Sequence, residues 1–182
     1  MARAVKQLGD DRALPLVQRL QSLEPTEAGA ILGMLLWRQG QPEASAKALG
    51  VAFRRLRLDP WPLEDVISNA LNTAVFVAHA NPRLAPRLLE AIQQPAAADY
   101  AYEMRGRMAC LIGKMVQPAA ALPALVSFEP YVPWSESFLK LRRQVYHATG
   151  HPLAAQADRD WEEFARMAAE QPAEQSTDRP AN

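Results

Sequence analysis

Residues 28–62 read AGAILGMLLWRQGQPEASAKALGVAFRRLRLDPWP, from Ala28 to Pro62. A helical run closes at Gly40, a residue that adopts the left-handed conformation of a helix C-cap without steric penalty. Pro42 then opens a second run. At a first helical position its missing N–H costs nothing and its φ is already helical. The stretch therefore predicts two helices folded back on one another. The outline recurs: Pro42, Pro82, Pro118 and Pro152 stand in GQPEA, ANPRLA, VQPAA and GHPLA, at spacings of 40, 36 and 34 residues. Recurrence at such a period is the mark of a helical repeat array.

The composition agrees. Ala and Leu supply 55 of the 182 residues, while Val, Ile and Thr supply 18. Ala and Leu favour helices and β-branched residues favour pleated sheets, so an all-α chain is expected. Lys plus Arg and Asp plus Glu each number 20, and 16 of the cations are Arg. With no net charge, neither a nucleic-acid nor a membrane-surface partner is expected. The opening MARAVKQLGDDR has no apolar core of signal-peptide type. The longest uncharged apolar stretch, Ala28 to Trp37, is far short of the roughly 20 residues a spanning helix needs. A single cysteine, Cys110, allows no internal disulfide. Together these features point to a cytoplasmic protein.

Outward from the first hairpin, the expected order is as follows. Residues 2–23 make a partial hairpin, with Leu16, Leu20 and Leu23 on one face of its second helix. Thr26 is the expected N-cap of the first full pair, 27–58, whose second helix carries Ala48, Leu49, Ala52, Phe53 and Leu56 as a stripe. Asp59-Pro60-Trp61-Pro62 leads to the second pair, 62–93, with Leu84, Ala85, Leu88, Leu89 and Ile92 in line. The third pair spans 97–127, and Tyr100, Met104, Met108, Leu111 and Met115 line its first helix. Pro133-Trp134-Ser135 introduces the fourth pair, 135–170, with Ser135 as cap and Trp134 against Leu139. These pairs make one helical repeat domain over 1–170. Residues 171–182 are polar and are expected to be disordered.

Leu32, Gly33, Leu36 and Gly40, in LGMLLWRQG, resemble the first helix of a tetratricopeptide repeat. Tyr146 and Gly150 match the same pattern in the fourth pair, where Arg143 replaces the small residue. The resemblance implies a short right-handed α-solenoid of about four hairpins with a concave groove. Carried over position by position, it implies groove residues Met34, Trp37 and Arg38 in the first pair and Lys140, Gln144 and His147 in the fourth. A second likeness involves DPWPLEDV, NPRLAPRLLEAI and ATGHPLAAQADRD. These are similar to helical C-terminal tails of some bacterial spermidine-synthase-like proteins. That likeness implies an accessory or regulatory region acting with such an enzyme, since no Gly-rich nucleotide loop is present.

Candidate chemistry is sparse. His147 and His151 have metal-ligand spacing, but Gly150 and Pro152 interrupt the helix and no third ligand is near, so no metal is expected. Cys110 sits among small and apolar residues and reads as a buried hydrophobe. Asp158, Asp160, Glu162 and Glu163 read as a solvated face of the last helix, opposite Trp161, Phe164, Ala165 and Ala168. His79 reads as a C-terminal helix cap. Arg54, Arg55 and Arg57, with Arg38, form too small a basic patch for nucleic acid. Trp61 and Trp134 are expected to wedge between helices. No cofactor is implied. The expectation is a non-catalytic scaffold that binds a protein or peptide partner on its concave face.

Overall fold

The computed structural model describes residues 13–59, 61–97 and 101–170, which hold nine α-helices and no strand. Among the described residues no helix is long and apolar enough to cross a membrane. The expected helix over 2–8 and the expected disordered tail both lie outside the described residues. The chain divides into two compact units, residues 1–127 and 128–182.

The first unit contains α1 (Leu14–Gln21), α2 (Pro25–Arg38), α3 (Pro42–Arg55) and α4 (Glu64–Ala80). A 3-10 turn over Pro82–Leu84 leads into α5 (Ala85–Ile92), followed by α6 (Tyr102–Val116) and α7 (Pro118–Val126). Pro42 and Pro118 open α3 and α7, and Pro82 opens the 3-10 turn before α5. Gly40 takes a φ of +71° where α2 turns toward α3, as its position before the turn requires. Helices α2 and α3 pack together, as do α6 and α7. The first helices of successive pairs also touch in series, α2 on α4 and α4 on α6, while α3 packs on α5.

Small residues set the closeness of these contacts. A β-carbon at Gly113 would stand 2.9 Å from Ala120 O and from Ala121 N and Cα, so α6 and α7 meet backbone to backbone there. At Gly33 it would fall 2.6 Å from the Leu49 side chain, and Ser45 Oγ donates to Gly33 O at 2.7 Å. This explains where the expected stripes fail. In α6 the buried residues are Ala109, Cys110, Ile112 and Gly113, while Met104, Met108, Leu111 and Met115 are only half-buried. The small face, not the Met face, allows the close approach. In α1 the buried position is Val17, and Leu16 and Leu23 are exposed. Thr26 is not a cap: α2 begins one residue before it, at Pro25, so Glu24 holds the N-cap position and Thr26 is buried in the first turn. Of the other two stripes, Leu49, Ala52, Phe53 and Leu56 and then Ala85, Leu88, Leu89 and Ile92 are buried as expected, while Ala48 and Leu84 are half-buried.

The second unit contains α8 (Glu136–Thr149) and α9 (Ala154–Glu170), packed together. Gly150 turns the chain with a φ of +62°. Pro152 lies in that turn, and α9 starts two residues later. Phe138, Leu139, Leu141, Val145 and Tyr146 of α8 are buried, with Phe128 edge-on to Phe138 at 5.0 Å between ring centres.

Gly113→Ala should lower stability by about 2 kcal/mol, because backbone atoms cannot yield as a side chain can. Gly50 is the control: a β-carbon there meets nothing closer than the flexible Arg54 tip at 3.5 Å. Gly50→Ala should raise stability by about 0.5–1 kcal/mol through helix propensity. Thermal unfolding of both variants checks the pair, and a higher midpoint for Gly113→Ala would refute the close-approach account.

Candidate functional site

The residues expected in a groove fall into one set per unit. Met34, Trp37 and Arg38 lie at i, i+3 and i+4 on α2, so they share a face. Met34 and Trp37 are half-buried and Arg38 is exposed. Lys140, Gln144 and His147 lie at i, i+4 and i+7 on α8 and are all exposed. The structure brings this second set together with Arg143 and Trp161 as the lining of an open hollow of about 490 Å³.

Charge at the hollow is locally paired. Lys140 Nζ donates to Glu136 Oε1 at 2.6 Å and stands 5.0 Å from the Trp161 ring centre, a cation–π distance. Asp158 reaches back from α9. It accepts from Arg143 Nε at 2.6 Å, and His147 Nε2 lies 2.9 Å from both its carboxylate oxygens. The hydrogen bond with His147, and then that with Arg143, hold the Asp158 carboxyl below the usual aspartate range.

Beneath this face lies a network that the sequence reading did not identify. Arg142, next in the chain to exposed Arg143, is 1% exposed. Its Nε and Nη2 donate to Glu129 Oε1 and Oε2 at 2.7 and 3.2 Å, and its Nη1 to Asp160 Oδ2 at 2.5 Å. Tyr146 Oη donates to Glu129 Oε1 at 2.8 Å, and Gln156 Nε2 to Asp160 Oδ1 at 2.6 Å. Burial alone would lower the Arg142 pKa, but its bonds to Glu129 and Asp160 outweigh that and raise it. Burial and the Glu129 carboxylate raise the Tyr146 phenol well above the usual tyrosine range. A signal was present: Arg142 lies on the helical stripe of Phe138, Leu139, Val145 and Tyr146, which predicts an inward side chain.

Several expectations change accordingly. Asp158 and Asp160 are not solvated face residues; they bind α9 to α8, while Glu162 and Glu163 are exposed. The apolar face of α9 is covered in part only, with Trp161 and Phe164 half-buried and Ala165 and Ala168 exposed. Trp61 does not wedge between helices: it is 87% exposed. Trp134 is 45% exposed and meets Phe164 edge-on. The two histidines have separate roles, since His151 stacks on Tyr146 at 4.2 Å while His147 faces Asp158. Cys110 is buried and its thiol is pushed up to about 12 by that burial, which makes it a poor nucleophile.

The first unit has a second concavity, of about 500 Å³, bounded by the end of α5, the 93–97 segment, α6 and the end of α7. Arg105 projects into it, and its Nη2 donates to Ile92 O at 3.1 Å and Gln94 O at 2.5 Å. Tyr102 Oη donates to Ser127 O at 2.9 Å and joins α6 to the end of α7. Comparison with protein-family models, curated proteins and solved structures gives no match. The tetratricopeptide and synthase-tail likenesses therefore stand on the sequence motifs alone.

Two outcomes follow from the second unit. Arg142→Met should destabilise the protein by about 3 kcal/mol, since it strands two largely buried carboxylates. Urea unfolding tests this, and a loss under about 1 kcal/mol, the worth of a surface pair, would contradict it. The Asp158 contribution has a definite sign. A carboxyl depressed on folding stabilises at pH values above its unfolded value, about 3.9, and loses that contribution as pH falls through the lower folded value. Asp158→Asn should therefore be less stable than wild type at neutral pH, and the gap should close in acid. A gap that persists unchanged to pH about 2 would exclude this linkage.

Proposed function

We propose that the chain is a non-catalytic helical-repeat scaffold that holds a protein or peptide segment. In this reading its hairpins belong to a short right-handed α-solenoid of tetratricopeptide type. The support is the serial packing of α2 on α4 and α4 on α6, with α3 on α5. A stack of this kind buries each apolar face on the next member.

The observation that carries the binding reading is the hollow of the second unit. Lys140, Gln144 and His147 line it together with Arg143 and Trp161. Its ion pairs are well exposed at Lys140, Arg143 and His147. Such pairs are worth about 0–1 kcal/mol, so a partner's polar groups exchange into them at little cost. Trp161 supplies an aromatic surface of the kind that anchors interfaces. Met34, Trp37 and Arg38 supply a corresponding face on α2. The non-catalytic part of the proposal draws on the burial of the Cys110 thiol.

The test compares proteins that co-purify with the full chain and with the variant carrying Arg38→Glu and Lys140→Glu, the two single variants being run in parallel. Loss of specific partners, with helical content and thermal midpoint retained, is the expected result. An unchanged set of partners would remove these two faces from the proposal. The single variants show which face carries the contact.

A further inference from the structure

Arg105 and Arg142 make an instructive contrast. Both are arginines on helices, drawn away from water. Arg142 meets two carboxylates. Arg105 meets none among the described residues: its Nη2 is satisfied by the carbonyls of Ile92 and Gln94, while Nε and Nη1 have no partner there. Burial lowers its pKa with no opposing charge to restore it. A partly desolvated cation without a counter-ion among the described residues is unfavourable, and its spare N–H donors on Nε and Nη1 can each hold an oxygen of an anion.

The surroundings add to this. The cavity that holds Arg105 has a volume of about 500 Å³, within the range of roughly 300–1,000 Å³ typical of ligand sites. Ile92, Pro95, Ala109 and Pro123 give it apolar walls. An apolar pocket with one uncompensated charged group is a favourable setting for a ligand with an apolar body and a single charge. A phosphate would bring a higher charge than this single cation balances.

We propose that this cavity binds a carboxylate carried on a small apolar body. The carboxylate accepts a hydrogen bond from Arg105 Nη1, and the apolar body rests against Ile92, Pro95, Ala109 and Pro123. Two sources share that chemistry: a free organic acid, and the C-terminal residue of another chain. The site is separate from the α8 face and does not depend on the scaffold reading.

The experiment titrates the full chain with four probes and follows binding by calorimetry. These are N-acetyl-leucine, its uncharged amide, a tetrapeptide ending in leucine with a free carboxylate, and the same peptide amidated. The carboxylate forms should bind saturably, and the amides more weakly by about tenfold or more, the effect of losing a charge-assisted hydrogen bond. Arg105→Met should abolish the preference. Because that variant also loses the carbonyl contacts, Ala96→Trp serves as a second one: it narrows the cavity, leaves Arg105 in place and should weaken binding too. Binding of both acid and peptide supports a site for free acids, and binding of the peptide alone supports a chain terminus. Equal affinity for acids and amides, no saturable binding by either carboxylate, or binding that survives both variants would overturn the proposal.

Discussion

In the first unit three helix ends, the start of α4 and the ends of α3 and α5, are satisfied by a neighbouring hairpin, which ties successive pairs together. A helix leaves unpaired N–H groups at its start and unpaired C=O groups at its end. None of α1 to α8 takes a side-chain cap bond from its own N-cap residue. Instead Glu27 of α2 accepts from the Leu63 N–H, at the N-cap of α4 and 36 residues away, at 3.0 Å. Arg105 of α6 donates to the carbonyls beyond α5, and the Ala97 N–H bonds Leu56 O at the end of α3 at 2.8 Å. Each pair thus completes its neighbour, and a hairpin taken alone would leave these polar groups unsatisfied as well as an apolar face uncovered.

A second constraint comes from residue size. The interior relies heavily on small side chains, with Ala28, Ala30, Ala46, Ala52, Ala70 and Ala74 all fully buried. Small residues bring helix backbones close, so contact area is gained by proximity more than by bulk. Phe53, Leu49, Ile67, Leu71 and Leu88 are buried among them, while some other large side chains lie on connectors and outer faces. Leu58, Trp61 and Leu63 flank the turn into α4 at 84, 87 and 61% exposure. Meanwhile Glu27 Oε2, buried near that turn, accepts no hydrogen bond among the described residues. In the connector Pro62 is buried and the Leu63 N–H is held by Glu27 Oε1, while Leu58, Trp61 and Leu63 keep their side chains exposed.

Much of this was legible in residue order, for physical reasons that can be named. Pro42 and Pro118 mark helix starts because φ is fixed and the N–H is absent, and both effects are local. Gly40 and Gly150 mark ends for an equally local reason. The stripes of α3 and α5 were legible because their apolar residues are confined to one face. In α6 both faces are apolar, one of Met and one of Ala, Cys and Gly, and periodicity cannot rank them. Only the partner helix decides, through the 2.9 Å approach at Gly113. Lys140, Gln144 and His147, chosen through the tetratricopeptide resemblance, share one face of α8 as their i, i+4 and i+7 spacing requires. Trp161 at the same hollow was not legible, because nothing local tells which face of α9 turns toward α8.

Arginine shows the limit most clearly, because one residue type meets three fates here. Arg143 is exposed and pairs with Asp158 at the rim of the hollow. Water already stabilises both groups, so their bond is weak and can be exchanged. Arg142 is fully enclosed and held by Glu129 and Asp160, which makes it costly to disturb and leaves no donor for a ligand. Arg105 has lost part of its water, keeps Nε and Nη1 unengaged and has no acidic partner among the described residues. Exposed charge suits transient recognition and compensated charge suits structure. Charge that is desolvated but uncompensated gains most from a bound anion, because the ligand supplies the electrostatic partner that the described residues do not.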